Sequence, residues 1–224
     1  MRKTGPNLAG LDQATGFADS PANCLKRMKA LFDSGAIASE NEPDLAALEH
    51  AHALLLASPA EGLETMKALA ERGSLMSQLY IAEAYRIGIR GKVDLGQGAA
   101  WYQRAANAGS AHASYMLGRM YLRTREYFNA KQWFEVGVRL DYTPAICMMG
   151  YMYAYGLGVR KDWDKARELL ERASAHGHLH AKVFLASMLI RRRWGWLQVV
   201  RGLWMACAAL ANALVDGSNS PRQI

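Results

Sequence analysis

The sequence predicts an all-α fold, a short solenoid of paired helices. Two observations carry this expectation. Ala, Leu, Met, Arg and Glu dominate several segments while only six prolines are present, a mixture that favours helix over strand. A register of small and large residues also recurs along most of the chain, which is how stacked structural repeats show themselves in sequence.

The elements read as follows from the N-terminus. Residues 1–19, broken by Gly5, Pro6, Asn7 and Gly10, read as a mobile tail. Ser20-Pro21 opens a helix that stops near Gly35. Residues 34–42 read as a loop. Asp44 to Ala57 and Pro59 to Arg72 form one degenerate helix pair, so 20–72 is an N-terminal helical region. In Ser58-Pro59-Ala60-Glu61, Ser58 reads as N-cap, Pro59 as first helical residue and Glu61 as the partner in a capping box.

From residue 73 the repeat is explicit. Blocks start at Gly73, Gly109, Asp141 and Gly177, spaced by 36, 32 and 36 residues. Small residues keep this register in three columns: Ala82, Gly118, Gly150, Ala186; Gly98, Ala130, Ala166, Gly202; and Ala105, Gly137, Ala173, Ala209. Large residues keep it too: Ile81, Leu117, Met149, Leu185; Tyr85, Tyr121, Tyr153, Leu189; and Trp101, Trp133, Leu169, Met205. Each block reads as two helices joined by a turn. Small residues belong where backbones approach closely, and large ones fill the spaces between. One pair cannot bury its apolar face, but stacked pairs share a core. The length difference falls in the turn: Gly88 to Asp94 in block one and Gly156 to Asp162 in block three are long, and Arg123 to Glu126 in block two is short. Residues 73–176 thus hold three repeats, 177–216 a divergent terminal repeat and 217–224 a tail.

Ala145, Met149-Gly150, Tyr153, Gly156-Leu157-Gly158-Val159, Asp162 and Lys165-Ala166 closely resemble the Sel-one-like repeat, a relative of the tetratricopeptide repeat. Ala113, Leu117, Gly118, Tyr121, Ala130 and Trp133 fit it in block two, as do Trp101, Tyr102, Ala105, Ala106 and Gly109 in block one. The turn Arg192-Arg193-Trp194-Gly195 of block four departs from it. The resemblance implies a right-handed α/α solenoid that binds proteins or peptides in a concave groove lined by first helices, often in bacterial signalling, secretion, envelope assembly or immunity.

Composition sets wider bounds. At 224 residues and 51% apolar, the chain can bury a substantial core, which excludes wholesale disorder. The net charge of +7 permits an acidic partner, an anionic membrane or nucleic acid without selecting among them. Cys24, Cys147 and Cys207 are far apart and form no CxxC pair, which argues against a disulfide framework and fits a reducing compartment. No apolar h-region follows Arg2 and Lys3, so no signal peptide is expected. The longest apolar run, Leu203 to Val215, contains Asn212 and falls short of the roughly 18 apolar residues of a membrane span. A cytoplasmic location is therefore expected.

Chemistry-bearing motifs are sparse. His176, His178 and His180 could bind zinc or nickel, but no Cys, Asp or Glu lies close by in sequence to complete a site, so solvated loop histidines are expected and no metal. No phosphate loop, nucleophile elbow or dinucleotide fingerprint is present. Gly156-Leu157-Gly158 follows a helix, not the strand a phosphate cradle needs. Cys147 with a distant His lies in an apolar row, and Met148, Met149 and Met152 read as core. No enzyme activity and no cofactor are expected.

The expected function is a non-catalytic interaction scaffold, adaptor or regulator, including an inhibitor or immunity-type protein. Arg119 and Arg123 share a face next to the one that Leu117, Gly118 and Tyr121 turn to the core. The corresponding positions are Glu83 and Ile87 in block one, with Arg86 beside them, Tyr151 and Tyr155 in block three, and Ser187 and Arg191 in block four. Arginines with exposed tyrosines suit a partner segment carrying carboxylates and apolar side chains. The alternative is a peripheral membrane or envelope-assembly protein. Arg191 to Arg193, Trp194, Trp196, Arg201 and Trp204 give residues 191–215 basic and aromatic character, although the tryptophans equally suit a cap on the solenoid. Nucleic acid is not expected, because neither helix shows a continuous basic face.

Overall fold

The computed structural model describes residues 21–33 and 42–191, with positions 200, 203, 204 and 207 beyond them. Every element among the described residues is an α-helix: α1 (Pro21–Asp33), α2 (Leu45–Ala57), α3 (Pro59–Glu71), α4 (Leu75–Ile87), α5 (Leu95–Asn107), α6 (Ala111–Arg123), α7 (Tyr127–Arg139), α8 (Thr143–Tyr155), α9 (Trp163–Ala175) and α10 (Leu179–Arg191). The all-α reading holds. The tails at 1–19 and 217–224, most of the loop at 34–42, the block-four turn and the positions of Trp194, Trp196, Gly202, Met205 and Ala209 lie outside the described residues.

The chain divides into two compact units, residues 1–136 and 137–224. In the first, α2 packs on α3, α3 on α4, α4 on α5 and α5 on α6, while α1 packs on α4. In the second, α8 packs on α9 and α9 on α10. The small columns lie at these contacts. A Cβ on Gly62 would stand 2.3 Å from the Leu55 Cα, and one on Gly98 would stand 3.1 Å from the Ala82 carbonyl oxygen. On Gly118 it would meet the Phe134 ring at 2.6 Å, and on Gly150 the Leu170 Cγ at 2.9 Å. Ala82, Ala105, Ala130, Ala166 and Ala173 are fully buried, and Ile81, Leu117, Met149 and Leu185 fill the core beside them. Met148, Met149 and Met152 are buried as well. The Trp101, Trp133 and Leu169 column is only half-buried: the Arg104 guanidinium lies 4.4 Å over the Trp101 ring.

The long and short turns reach the same end by different routes. Gly88 and Gly156 cap α4 and α8 in the left-handed region, at φ +69° and +71°, which costs glycine little. The Asp94 N–H then donates to the Tyr85 carbonyl and the Asp162 N–H to the Tyr153 carbonyl, at 2.9 and 3.0 Å. The same aspartates cap the next helix, each accepting a backbone N–H on its carboxylate. In the short turn Arg125 takes the left-handed conformation, φ +63°, and the Glu126 N–H reaches the Tyr121 carbonyl at 2.9 Å. Tyr85, Tyr121 and Tyr153 are one column, so their carbonyls mark a common docking point for chain entering the second helix.

Two helix starts depart from simple capping. Ser58 sits at the N-cap of α3 with Pro59 behind it, but its side chain makes no cap hydrogen bond. The α4 start recruits a distant carboxylate: Glu42 accepts from the Ser74 hydroxyl at 2.6 Å and from the Met76 N–H at 2.7 Å. A negative charge is favourable at this end of a helix.

Candidate functional site

In the first unit the residues expected to line a groove form a buried polar cluster. Glu83 and Arg86 lie one turn apart on α4 and are only 5% and 6% exposed. The Arg86 Nε donates to Glu83 Oε2 at 2.7 Å, a second guanidinium nitrogen bonds the other carboxylate oxygen, and the Tyr102 hydroxyl on α5 donates to Glu83 as well. Burial opposes the charge on Glu83. The bonds from Arg86 and Tyr102, with the Arg86 charge, outweigh it and hold the carboxyl below its usual range. Burial pushes the neighbouring His112 imidazole on α6 down to about 4, against the raising effect of Glu83, so His112 is neutral at pH 7.

These positions are therefore corrected as free binding groups. The register contains the reason. Arg86 falls in the column of Leu122 and Ala154, both buried, and Tyr102 in the column of Phe134 and Leu170, both fully buried. Charged and hydroxyl groups at core positions must satisfy one another, because burying either alone is costly. Arg119 is also buried, 5.6 Å over the Tyr115 ring. Ile87 is half-buried and Arg123 is exposed.

In the second unit Tyr151 is 7% exposed and is corrected in the same way. Its ring packs 4.4 Å from that of Tyr155 and 5.4 Å from that of Phe184 on α10. Tyr155, which stacks on Phe184 at 5.9 Å, is 38% exposed. The Ser187 hydroxyl donates to the Phe184 carbonyl at 2.8 Å, so it serves its own helix. The Arg191 side chain lies outside the described residues. Phe184 was missed by the sequence reading, although its column, Tyr80, Met116 and Met148, is apolar throughout. Val183, next to Phe184 in the chain, is 48% exposed.

The remaining motifs have structural roles. His178 Nδ1 accepts the Ala181 N–H at 3.3 Å, which makes His178 an N-cap for α10. Burial, then the nearby His180, lowers its pKa. His176 Nδ1 lies 3.4 Å from the Thr143 hydroxyl. Among the described residues, no three His, Cys, Asp or Glu groups gather as a metal site would require. Burial pushes the Cys147 thiol up to about 12, which leaves no thiolate for nucleophilic chemistry. No described helix is long and apolar enough to cross a membrane.

Consecutive helix pairs closed by a common turn, with small residues at each contact and polar groups consumed by packing, define a helical-repeat protein. Residues 75–110 and 143–178 match the family model of the Sel1 repeat. They belong to the two blocks with long glycine turns. A curated relative, the ERAD-associated E3 ubiquitin-protein ligase component HRD3 of Candida glabrata, is 25% identical over 52% of this chain. The chain spans only 13% of that relative's length. The fold is shared with a Sel1 repeat protein from Oxalobacter formigenes, at 18% identity and TM-score 0.66 over 84% of each chain. It is also shared with a protective antigen of uropathogenic Escherichia coli displaying an SLR fold, at 24% identity and TM-score 0.60 over 66% of this chain and 33% of that one. Sel1 repeats are in general protein-interaction modules.

Proposed function

We propose that this chain is a non-catalytic adaptor or regulator, bacterial and cytoplasmic, that binds another protein through an aromatic anchor in its second unit. The observation that carries this reading is Tyr155. Its ring is partly exposed yet packs against Tyr151 and Phe184, and Val183 extends apolar area along α10. A pre-positioned tyrosine loses little conformational freedom on binding and is a common hot-spot residue. The partner would insert an apolar side chain here. Exposed Arg123 in the first unit remains a candidate for a partner carboxylate. The three unbridged thiols support a reducing compartment.

Affinity purification from the native cell with mass spectrometry identifies the partner. Tyr155→Ala with Val183→Ser should then weaken binding by at least ~2 kcal/mol, the scale of a hot spot, in a variant that circular dichroism shows to be folded. Undiminished affinity would remove the aromatic site from consideration.

One observation favours the membrane reading. Val200, Leu203 and Trp204 are 52%, 51% and 71% exposed, and positions i, i+3 and i+4 share a helical face. Flotation with anionic vesicles tests it: binding that is lost with Leu203→Asp and Trp204→Ala would support a peripheral membrane role.

A further inference from the structure

Helix α1 is placed unlike the others. The helices from α2 to α5 pack on their chain neighbours, whereas α1 packs on α4, three elements ahead. Leu25 is fully buried, and Met28 and Cys24 are 4% and 5% exposed. The Arg86 guanidinium donates to Cys24 Sγ at 3.7 Å. Lys29 reaches Glu49 on α2 at 3.7 Å, in an exposed pair. The face beneath α1 is thus built from α2 and α4, the first helices of their pairs, and it already receives a helix.

The fit is incomplete. His52 on α2 is 7% exposed, packs 5.1 Å from the Tyr80 ring and hydrogen-bonds the Leu25 backbone on α1, but its Nε2 has no protein partner. A buried polar atom left without a hydrogen bond weakens whatever covers it. The helix itself has no acidic residue in its first turn and no basic residue in its last, and a 13-residue helix is marginal alone in water. Its order depends on the seat.

We propose that α1 is an intramolecular ligand, and that a partner's amphipathic helix docks on the same α2–α4 face in its place. The competing helix would carry two aliphatic anchors three residues apart, like Leu25 and Met28, a small side chain toward Arg86, and a polar group that satisfies His52 Nε2. That last bond is the advantage a partner has over α1. The advantage of α1 is tethering, which gives it a high local concentration. A covered face lowers apparent partner affinity by the fraction of molecules in which it is open. This inference rests on the reading that the chain binds proteins, but it concerns a second surface and can fail separately.

The test uses the full chain and a fluorescein-labelled peptide of residues 20–36 as the probe. In Leu25→Asp/Met28→Asp the tethered helix is undocked. Fluorescence anisotropy should show the peptide binding this variant at least tenfold more tightly than the wild type, and a peptide with the same two substitutions should bind neither. Hydrogen exchange on the wild type should show α1 opening well before α4. Joint exchange of α1 and α4, collapse of the variant's fold, or a folded variant that ignores the peptide would each overturn the proposal. Peptide binding that requires dimerisation would overturn it in favour of exchange between two copies. A recovered partner that binds wild type and variant equally leaves the adaptor reading standing and removes this one. Peptide exchange with no protein partner recovered does the reverse.

Discussion

The Tyr102 hydroxyl on α5 donates to the Glu83 carboxylate on α4, joining two packed helices through a buried charge that Arg86 balances. Removing one member leaves the other buried and uncompensated. Glu83→Ala or Arg86→Ala should therefore cost about 3–5 kcal/mol in urea denaturation. Replacing both with apolar residues, together with Tyr102→Phe so that no buried hydroxyl is left without a partner, should recover most of that loss, because Leu122 and Ala154 already occupy the Arg86 column and Phe134 and Leu170 the Tyr102 column in the other blocks. A triple variant as unstable as the singles would show that the buried polar cluster contributes net stability.

Stability should fall with acid. Folded His112 titrates near 4 rather than 6.5. Between these values the unfolded chain holds a proton that the folded protein does not, so stability is lost as pH falls from about 6.5 to about 4. The size is on the order of 3 kcal/mol for this burial. His52 and His178, also lowered, act in the same direction, and depressed Glu83 adds its own loss below the ordinary carboxylate range. His112→Met, the residue at the same register position in block one, should flatten the melting-temperature profile between pH 6.5 and 4.

The glycines should rank by what their missing Cβ would strike. Gly62→Ala drives a methyl into α2 backbone and should be the most damaging, since the backbone must separate. Gly150→Ala meets the Leu170 side chain at 2.9 Å and the Ala166 carbonyl oxygen only at 3.3 Å, so a smaller adjustment, mostly of a side chain, makes room. Gly150→Leu should cost at least ~1–3 kcal/mol by overpacking. Thermal melts that place Gly150→Ala below Gly62→Ala in stability would contradict this ranking.

Arg125 offers a gain. A non-glycine residue in the left-handed region carries roughly 1–2 kcal/mol of strain, partly offset by the entropy glycine loses on folding. Arg125→Gly should raise stability by up to about 1 kcal/mol, read from the urea midpoint. A lower midpoint would mean that the Arg125 side chain contributes more than its backbone costs.

Arg119 and Tyr151 show where sequence reading of the site stopped. Each lies one position beyond the small column of its helix. In a strictly two-sided helix that position faces outward. Here α4, α6 and α8 are buried around much of their circumference, as the runs Met76 to Ala84, His112 to Arg119 and Ala145 to Met152 show. A solvated face and a second packed face carry the same spacing, and polar residues on the second face are revealed only by their partners.

The sequence by itself determined the helix pairs, the long and short turns, and the columns where backbones meet. Those features arise from local periodicity and from the absence of a Cβ, which each block states independently of its neighbours. The tertiary structure alone decided that Glu83, Arg86 and Tyr102 neutralise one another inside the first unit, that Glu42 caps a helix 32 residues ahead, and that α1 settles on α4. Each of these joins residues distant in the chain, and the energy of a buried charge or a docked helix depends on what lies opposite it, which no local pattern encodes.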